Sequence, residues 1–388
     1  MSDPLVDRVR LRLAASADDA VDARLAEAAG SESALLLDSR ALSELSGQLR
    51  AELFGAGPLE RLLGEPGLTD VLVNAADQVW LERGHGLERS EVRFESDLAV
   101  RRLAVRLAAQ AGRRLDDACP FVDAALPDGT RLHAILPPLV AHPTISLRVL
   151  GRRRLGLNDL VALQAMSPGL AEVLAAVVRA RLSLLISGGT GTGKTSLLAA
   201  LLGTAEPSDR IVTVEDAAEL SIEHPHVVAL LARPANVELA GAVGLAELVR
   251  QALRMRADRL VVGEFRGAEI VELLAALNTG HAGGAATVHA NSVADVPARL
   301  VALAALGGMS ATTLAAQAAS ALDVLIHIRR DRSGLRRLDQ IGLWPRRSQQ
   351  VTPELVWTRR AGLGPAAGGL LTRLQDAEVA LPTMLVQA

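Results

Sequence analysis

Gly188-Gly189-Thr190-Gly191-Thr192-Gly193-Lys194-Thr195 constrains this chain more than any other stretch. Four residues separate Gly188 from Gly193, and Lys-Thr follows, which is the spacing of a phosphate-binding loop. The flanks agree. Residues 182–187 (Leu-Ser-Leu-Leu-Ile-Ser) read as a buried strand running into the loop, and 196–202 as the helix leaving it. Gly188, Gly189, Thr190, Gly191, Thr192 and Gly193 let successive backbone N–H groups turn inward on phosphate oxygens. The helix start at Ser196 adds partial positive charge, Lys194 reaches the terminal phosphates, and the Thr195 hydroxyl suits Mg²⁺. ATP with Mg²⁺ is the expected ligand set.

At 388 residues the chain is long enough for two domains with sizeable cores. Its 41 Lys+Arg against 44 Asp+Glu leave a net charge of −3, which argues against a protein that coats polyanions. Cys119 is the only cysteine, so no intrachain disulfide forms, and a reducing, cytoplasmic setting is expected. The Ala-rich run 170–186 is broken by Glu172, Arg179 and Arg181, so membrane contact is expected to be peripheral.

Apolar spacing predicts a helical extension over 1–56, with Leu5, Val9, Leu13, Val21 and Leu25 at helical intervals. Short alternating strands and one helix over 97–110 make 57–150 a small α+β domain. The charged, glycine-flanked run at 151–156 predicts a linker, placed over 151–160. From 161 to 388 strands and helices alternate, which predicts a parallel α/β sheet, then a hairpin over 323–344. Residues 362–369 read as a flexible connector to a last amphipathic segment.

A nucleotide loop needs a carboxylate at the end of a neighbouring strand. Leu260-Val261-Val262-Gly263-Glu264 supplies Glu264, with Gly263 where an Asp is usual. Arg210 to Asp216 forms another apolar strand ending in Glu215-Asp216. Ligands gather at the carboxyl ends of parallel strands, so Glu215 and Glu264 are expected to converge on the loop. His289 ends a further short strand, and His281 precedes it.

In order and spacing, the loop, Val-Glu-Asp-Ala-Ala-Glu-Leu at 214–220, Arg-Met-Arg-Ala-Asp-Arg-Leu-Val-Val-Gly-Glu-Phe-Arg-Gly at 254–267 and Thr-Gly-His…Thr-Val-His-Ala-Asn at 279–291 resemble the boxes of the type II/IV secretion ATPases. The chain looks closest to the tight-adherence pilus branch. Leu-Pro-Asp-Gly-Thr-Arg-Leu-His-Ala at 126–134 and Ile-Ser-Leu-Arg at 145–148 extend the likeness into the first domain. The resemblance implies a RecA-like P-loop domain behind a PAS-like α+β domain. Glu215 then activates water, Glu264 lies near Mg²⁺ with Thr195, and His289 reads the γ-phosphate. Arg131 and Arg148 reach the nucleotide from the first domain. It departs from the family at Ala257, at Phe265 and in the loop around 236–244.

Together with these readings the resemblance implies a cytoplasmic ATPase, homohexameric as in that family, peripheral at the inner face of the membrane and working on an integral-membrane pilus or secretion platform protein, with no nucleic acid expected. The alternative is a RecA-like hexameric nucleic-acid motor; 2% aromatic residues give little to line a single-strand channel. Arg250, Arg254 and Arg256 suit a subunit contact or a plain basic helix face. Arg329, Arg330, Arg332, Arg336 and Arg337 of the hairpin suit acidic lipid or a solvated turn.

Overall fold

The computed structural model describes residues 51, 55–84, 86–149, 154–233, 240–346 and 352–387. Almost all of the extension expected over 1–56, the start of the expected linker, and residues 236–239 lie outside the described residues. The chain divides into two compact units, Met1–Gly151 and Arg152–Ala388.

Among its described residues the first unit has a 3-10 turn (Gly57–Leu59) running into a short helix, α1 (Glu60–Leu63), and strands β1 (Asp70–Ala75), β2 (Gln78–Glu82), β3 (Leu87–Arg89), β4 (Phe121–Ala125), β5 (Arg131–Ile135) and β6 (Thr144–Arg148). They form one antiparallel sheet in the order β3-β2-β1-β6-β5-β4. Helix α2 (Asp97–Gln110) starts at Ser96, whose hydroxyl accepts from Ala99 N at 3.3 Å. Its buried stripe is Val100, Leu103, Ala104, Leu107 and Ala108, the spacing of a one-faced helix. The stripe shares a core with Val71, Val73, Leu132, Ala134, Ile145 and Leu147, the inward positions of β1, β5 and β6. On the outward positions Arg131 stands opposite Arg148, and Arg148 opposite Asp70.

In the second unit the helix α3 (Leu157–Ala162) already occupies part of the expected linker, because Asp159 Oδ2 accepts from Gly156 N at 2.9 Å and starts the first turn. The unit continues with α4 (Pro168–Arg179), β7 (Leu184–Ser187), α5 (Lys194–Leu202), β8 (Ile211–Glu215), β9 (Val227–Leu231), α6 (Leu245–Ala252), β10 (Arg259–Phe265), α7 (Glu269–Leu277) and β11 (Ala285–Val288). Then come α8 (Val296–Leu306), α9 (Ala311–Ala321), β12 (Val324–Arg330), β13 (Arg336–Leu343), β14 (Glu354–Thr358), β15 (Gly362–Leu363), α10 (Ala367–Asp376) and α11 (Thr383–Val386). Nine strands form one sheet, β15-β14-β13-β12-β7-β11-β10-β8-β9. The run from β12 to β9 is parallel, and β13, β14 and β15 extend it antiparallel.

Both faces are covered, so β7, β8 and β11 are buried at every position. Residues of α4, α5 and α10 pack on one face, and those of α6 to α9 on the other. Phe265 and Ala257, two departures from the family pattern, are buried in the second layer.

Two expectations need correction. The hairpin does not follow the sheet; its first strand lies inside it, parallel to β7. The stretch 362–369 is not a flexible connector. Gly362, with φ +76°, lets the chain reverse so that it pairs with Thr358, and α10 begins four residues after β15. Among the described residues no single helix is long and apolar enough to cross a membrane; one bent pair, α8 with α9, passes the length and composition test.

Candidate active site

The glycine-rich loop leaves the carboxyl end of β7 and enters α5. Gly191 and Gly193 have φ of +71° and +94°, a region that side chains disfavour. Gly188 is needed for a different reason: a Cβ there would lie 2.4 Å from the carbonyl oxygen of Ile328 on the adjacent strand. Thr192 Oγ1 donates to Gly189 O at 2.8 Å and braces the loop from within. Thr190 is exposed at its outer side, Thr195 is half-buried in the first turn of α5, and Ser196 is exposed.

Lys194 is 6% exposed, and its ammonium donates to the carbonyls of Gly188 and Gly189 at 3.1 and 3.0 Å. Glu264 Oε1 lies 3.7 Å away, and the ring nitrogens of His289 lie at 3.4 and 3.5 Å. Burial holds the Lys194 pKa below the ordinary lysine value, against the pull of Glu264. A buried cation braced by neutral carbonyls, with a carboxylate at 3.7 Å, fits a ligand that brings anionic oxygens of its own.

Glu264 belongs to β10. Its Oε2 accepts from Arg266 Nε at 2.7 Å and its Oε1 meets His289 Nε2 at 2.9 Å. Burial acts to raise its pKa, but Arg266, His289 and Lys194 prevail and take it below the ordinary value. For His289 burial comes first and the Lys194 charge second, and together they lower the pKa despite Glu264. A neutral imidazole follows, with Nε2–H donating to Glu264 and the Nδ1 lone pair towards Lys194, a tautomer assigned from this network.

Glu215 ends β8 and is 3% exposed. Its Oε1 accepts from the backbone of Glu219 and Leu220 at 3.0 and 2.8 Å, while its Oε2 is buried with no hydrogen bond from any of the described residues. Burial pushes its pKa up, opposed by those two N–H groups and by the nearby Thr213 hydroxyl, which itself makes no well-formed hydrogen bond among the described residues. Gly263, the position where Asp is usual, makes room for it: a Cβ there would lie 3.0 Å from Glu215 Cγ.

Lys194, Glu264 and His289 thus meet from β10, β11 and the loop, with Glu215 against the backbone of β10. His281 does not join them. It precedes β11 whereas His289 follows it, and its Nδ1 is 3.3 Å from Ala276 O at the end of α7. Arg131 and Arg148 lie side by side in the first unit, Arg148 Nε donating to Asp70 Oδ1 at 3.0 Å.

Arg250 is held within the second unit by Glu247 and Glu272, both at 2.6 Å. The hairpin arginines are largely engaged too: Arg329 with Asp339, Arg337 with Asp331, Arg330 with Gly334 O, and Arg336 with Gly191 O of the loop.

Two residues carry more of the site than the sequence reading gave them. Arg266 clamps Glu264 and lies 3.7 Å from Asp216, and its own N–H and that of Gly267 are held by Glu269 Oε1 at 2.5 and 2.8 Å. Its position two residues after Glu264 was the available signal. Arg336 had none, because its reach depends on strand order.

A parallel sheet covered on both faces, with a glycine-rich loop, a buried lysine and two acidic strand ends at its carboxyl edge, defines a RecA-like P-loop ATPase. Comparison with known sequences and folds agrees. Residues 52–339 match the family described as Type II/IV secretion system protein, and the chain belongs to that family. It is 53% identical to a putative conjugal transfer protein of Mycobacterium tuberculosis over 343 residues, covering 87% of this chain and 97% of that one. It is 31% identical to the conjugal transfer protein TrbB of Rhizobium radiobacter, covering 71% and 83%. In fold it is similar to the pilus retraction motor PilT, solved with bound ADP, with a TM-score of 0.53 at 21% identity, covering 74% and 82%.

Proposed function

We propose that the chain is one subunit of a homohexameric motor that hydrolyses Mg-ATP at the inner face of the cytoplasmic membrane. It acts on an integral-membrane platform protein in pilus assembly, of the tight-adherence branch, or in secretion. The observation that carries the catalytic part is the meeting of Lys194, Glu264 and His289 over the loop, with a buried Glu215 beside them.

In this reading Lys194 exchanges its two peptide carbonyls for β- and γ-phosphate oxygens, and the loop N–H groups take the remaining charge. Water attacks the γ-phosphorus as the bond to the β,γ-bridging oxygen breaks, and the water's proton passes to Glu215. A carboxylate with a raised pKa is the better acceptor for it. The neutral His289 offers its ring N–H to the oxygens at the γ-phosphate end.

Among the described residues no three His, Cys, Asp or Glu side chains gather as a metal cage. Mg²⁺ is usually held by one or two protein oxygens together with substrate phosphates. The Thr195 hydroxyl and the ionised Glu264 are hard oxygen donors of the right kind. When bound, the ion neutralises charge on the phosphate oxygens.

The test is steady-state release of phosphate from Mg-ATP by the full chain. Turnover that Lys194→Ala and Glu215→Gln each abolish supports the proposal; no turnover, or turnover that survives both, overturns it.

A further inference from the structure

The hairpin β12–β13 is joined to the loop at two levels. At the root, His327 sits opposite Ser187 in the parallel register, and His327 Nδ1 lies 3.0 Å from Ser187 Oγ, the residue before Gly188. Both side chains are buried, and Ser187 Oγ also donates to Ile326 O at 3.3 Å. Nearer the tip, Arg336 donates through Nε to Gly191 O at 3.0 Å, across 145 positions of sequence. Its Cδ would lie 3.3 Å from a Cβ at Gly193. The facing Arg330 does something else, since its Nε donates to Gly334 O in the hairpin turn.

The consequence lies in the peptide plane. In a trans peptide the C=O of one residue and the N–H of the next point in opposite directions. Holding the Gly191 carbonyl out towards Arg336 therefore turns the Thr192 N–H inward, the direction in which a glycine-rich loop offers donors to phosphate. Gly191 has no side chain to resist a flip of that plane, so its orientation has to be set from outside. Thr192 Oγ1 fixes Gly189 O, not this peptide.

We propose that Arg336 is a positioning residue for nucleotide binding, holding the Gly191–Thr192 peptide with its N–H towards the phosphates and so tying the hairpin to the loop. This rests on the reading of the loop as the nucleotide site.

The experiment is titration of the full chain with the fluorescent N-methylanthraniloyl derivative of ADP, comparing wild type, Arg336→Ala, Arg336→Lys and Arg330→Ala. Removing a charged donor that sets one phosphate contact is expected to weaken binding about tenfold. The lysine variant, which keeps a donor, recovers most of that loss, and Arg330→Ala binds like wild type. The alanine defect persists from low to high salt, because a positioned N–H is not screened as a distant charge is. Thermal midpoints of the unliganded variants match wild type.

Wild-type affinity in Arg336→Ala overturns the inference, as does an equal loss in Arg330→Ala or a loss that disappears at high salt, which marks simple charge attraction. If wild type binds and Lys194→Ala does not, the nucleotide reading survives such a failure. If wild type itself fails to bind, both fall.

Discussion

At the amino ends of the central strands Arg259 and Asp209 meet at 2.7 Å, each 1% exposed; at the carboxyl ends Lys194 and Glu264 stand 3.7 Å apart around the loop. The residue types are alike and the sheet is the same. Each nitrogen of Arg259 has a partner: Nε on Asp209, Nη1 on Gly283 O at 3.4 Å and Nη2 on Val178 O at 3.0 Å, with Arg181 also on Asp209. That cluster staples α4, β8, β10 and the turn before β11. At the other end Lys194 leans on peptide carbonyls, and Glu215 keeps one buried oxygen with no hydrogen bond among the described residues. Satisfied charge holds the fold, whereas incompletely satisfied charge is available to a ligand.

The sharpest way to break this contrast is to neutralise each end in turn. Glu215→Gln is expected to lower ATP turnover by on the order of 10²–10⁴, the usual worth of a positioned base, without lowering the thermal midpoint. Asp209→Ala is expected to do the reverse. It leaves Arg259 buried and uncompensated and costs about 3–5 kcal/mol of unfolding free energy, read by urea titration. Turnover per folded molecule stays within a few-fold. If Glu215→Gln unfolds the protein, or Asp209→Ala abolishes turnover while folded, the assignment of the two ends is wrong.

The loop, its strand and its helix were legible because their pattern is local: apolar run, glycines, Lys-Thr. That Glu215 and Glu264 end at one edge of the sheet was legible too, since parallel strands bring their carboxyl ends together whatever their order. What stayed hidden depends on which strand neighbours which. Nothing in the string places Arg336 beside Gly191, Arg259 beside Asp209, or Glu215 against Gly263. Placing β12 next to β7 requires the finished sheet. β14 is of the same kind: Val356 and Trp357 suit a strand, but five residues carry no signal of which edge they extend.

The two site glutamates offer a second, smaller contrast, in opposite directions of pH. Burial raises the Glu215 pKa above 4.5, so its contribution to stability is fully present below that value and is lost as pH rises through the folded pKa. For Glu264 burial is outweighed by Arg266, His289 and Lys194, and the folded pKa lies below 4.5. Its contribution is present above 4.5 and is lost as pH falls through the folded value. Relative to wild type, Glu264→Gln is therefore expected to be destabilised near neutrality and to converge with it on acidification. Glu215→Gln should gain on wild type as pH rises past 4.5. Urea midpoints measured from about pH 2.5 to 7 decide it, since the Glu264 change falls below 4.5 and the Glu215 change above it; parallel curves for the two variants would remove the contrast.

The finest division lies within one ion cluster at the amino end. Asp323 Oδ1 accepts from Arg346 Nη2 at 2.7 Å and from Arg373 Nη1 at 2.9 Å, so one oxygen serves two guanidinium groups of different burial. Arg346 is 52% exposed, and water replaces its partner when it is removed. Arg346→Ala is expected to cost less than about 1 kcal/mol, screened further by salt. Arg373 is 9% exposed; burial lowers its pKa against the pull of Asp323, and Nη2 also donates to Trp344 O at 2.7 Å. Arg373→Ala therefore removes buried hydrogen bonds that tie α10 to the sheet, and its urea midpoint should fall well below that of Arg346→Ala. Equal losses would mean that burial does not set the worth of a charge here, and the distinction between the two ends of the sheet would lose its physical basis.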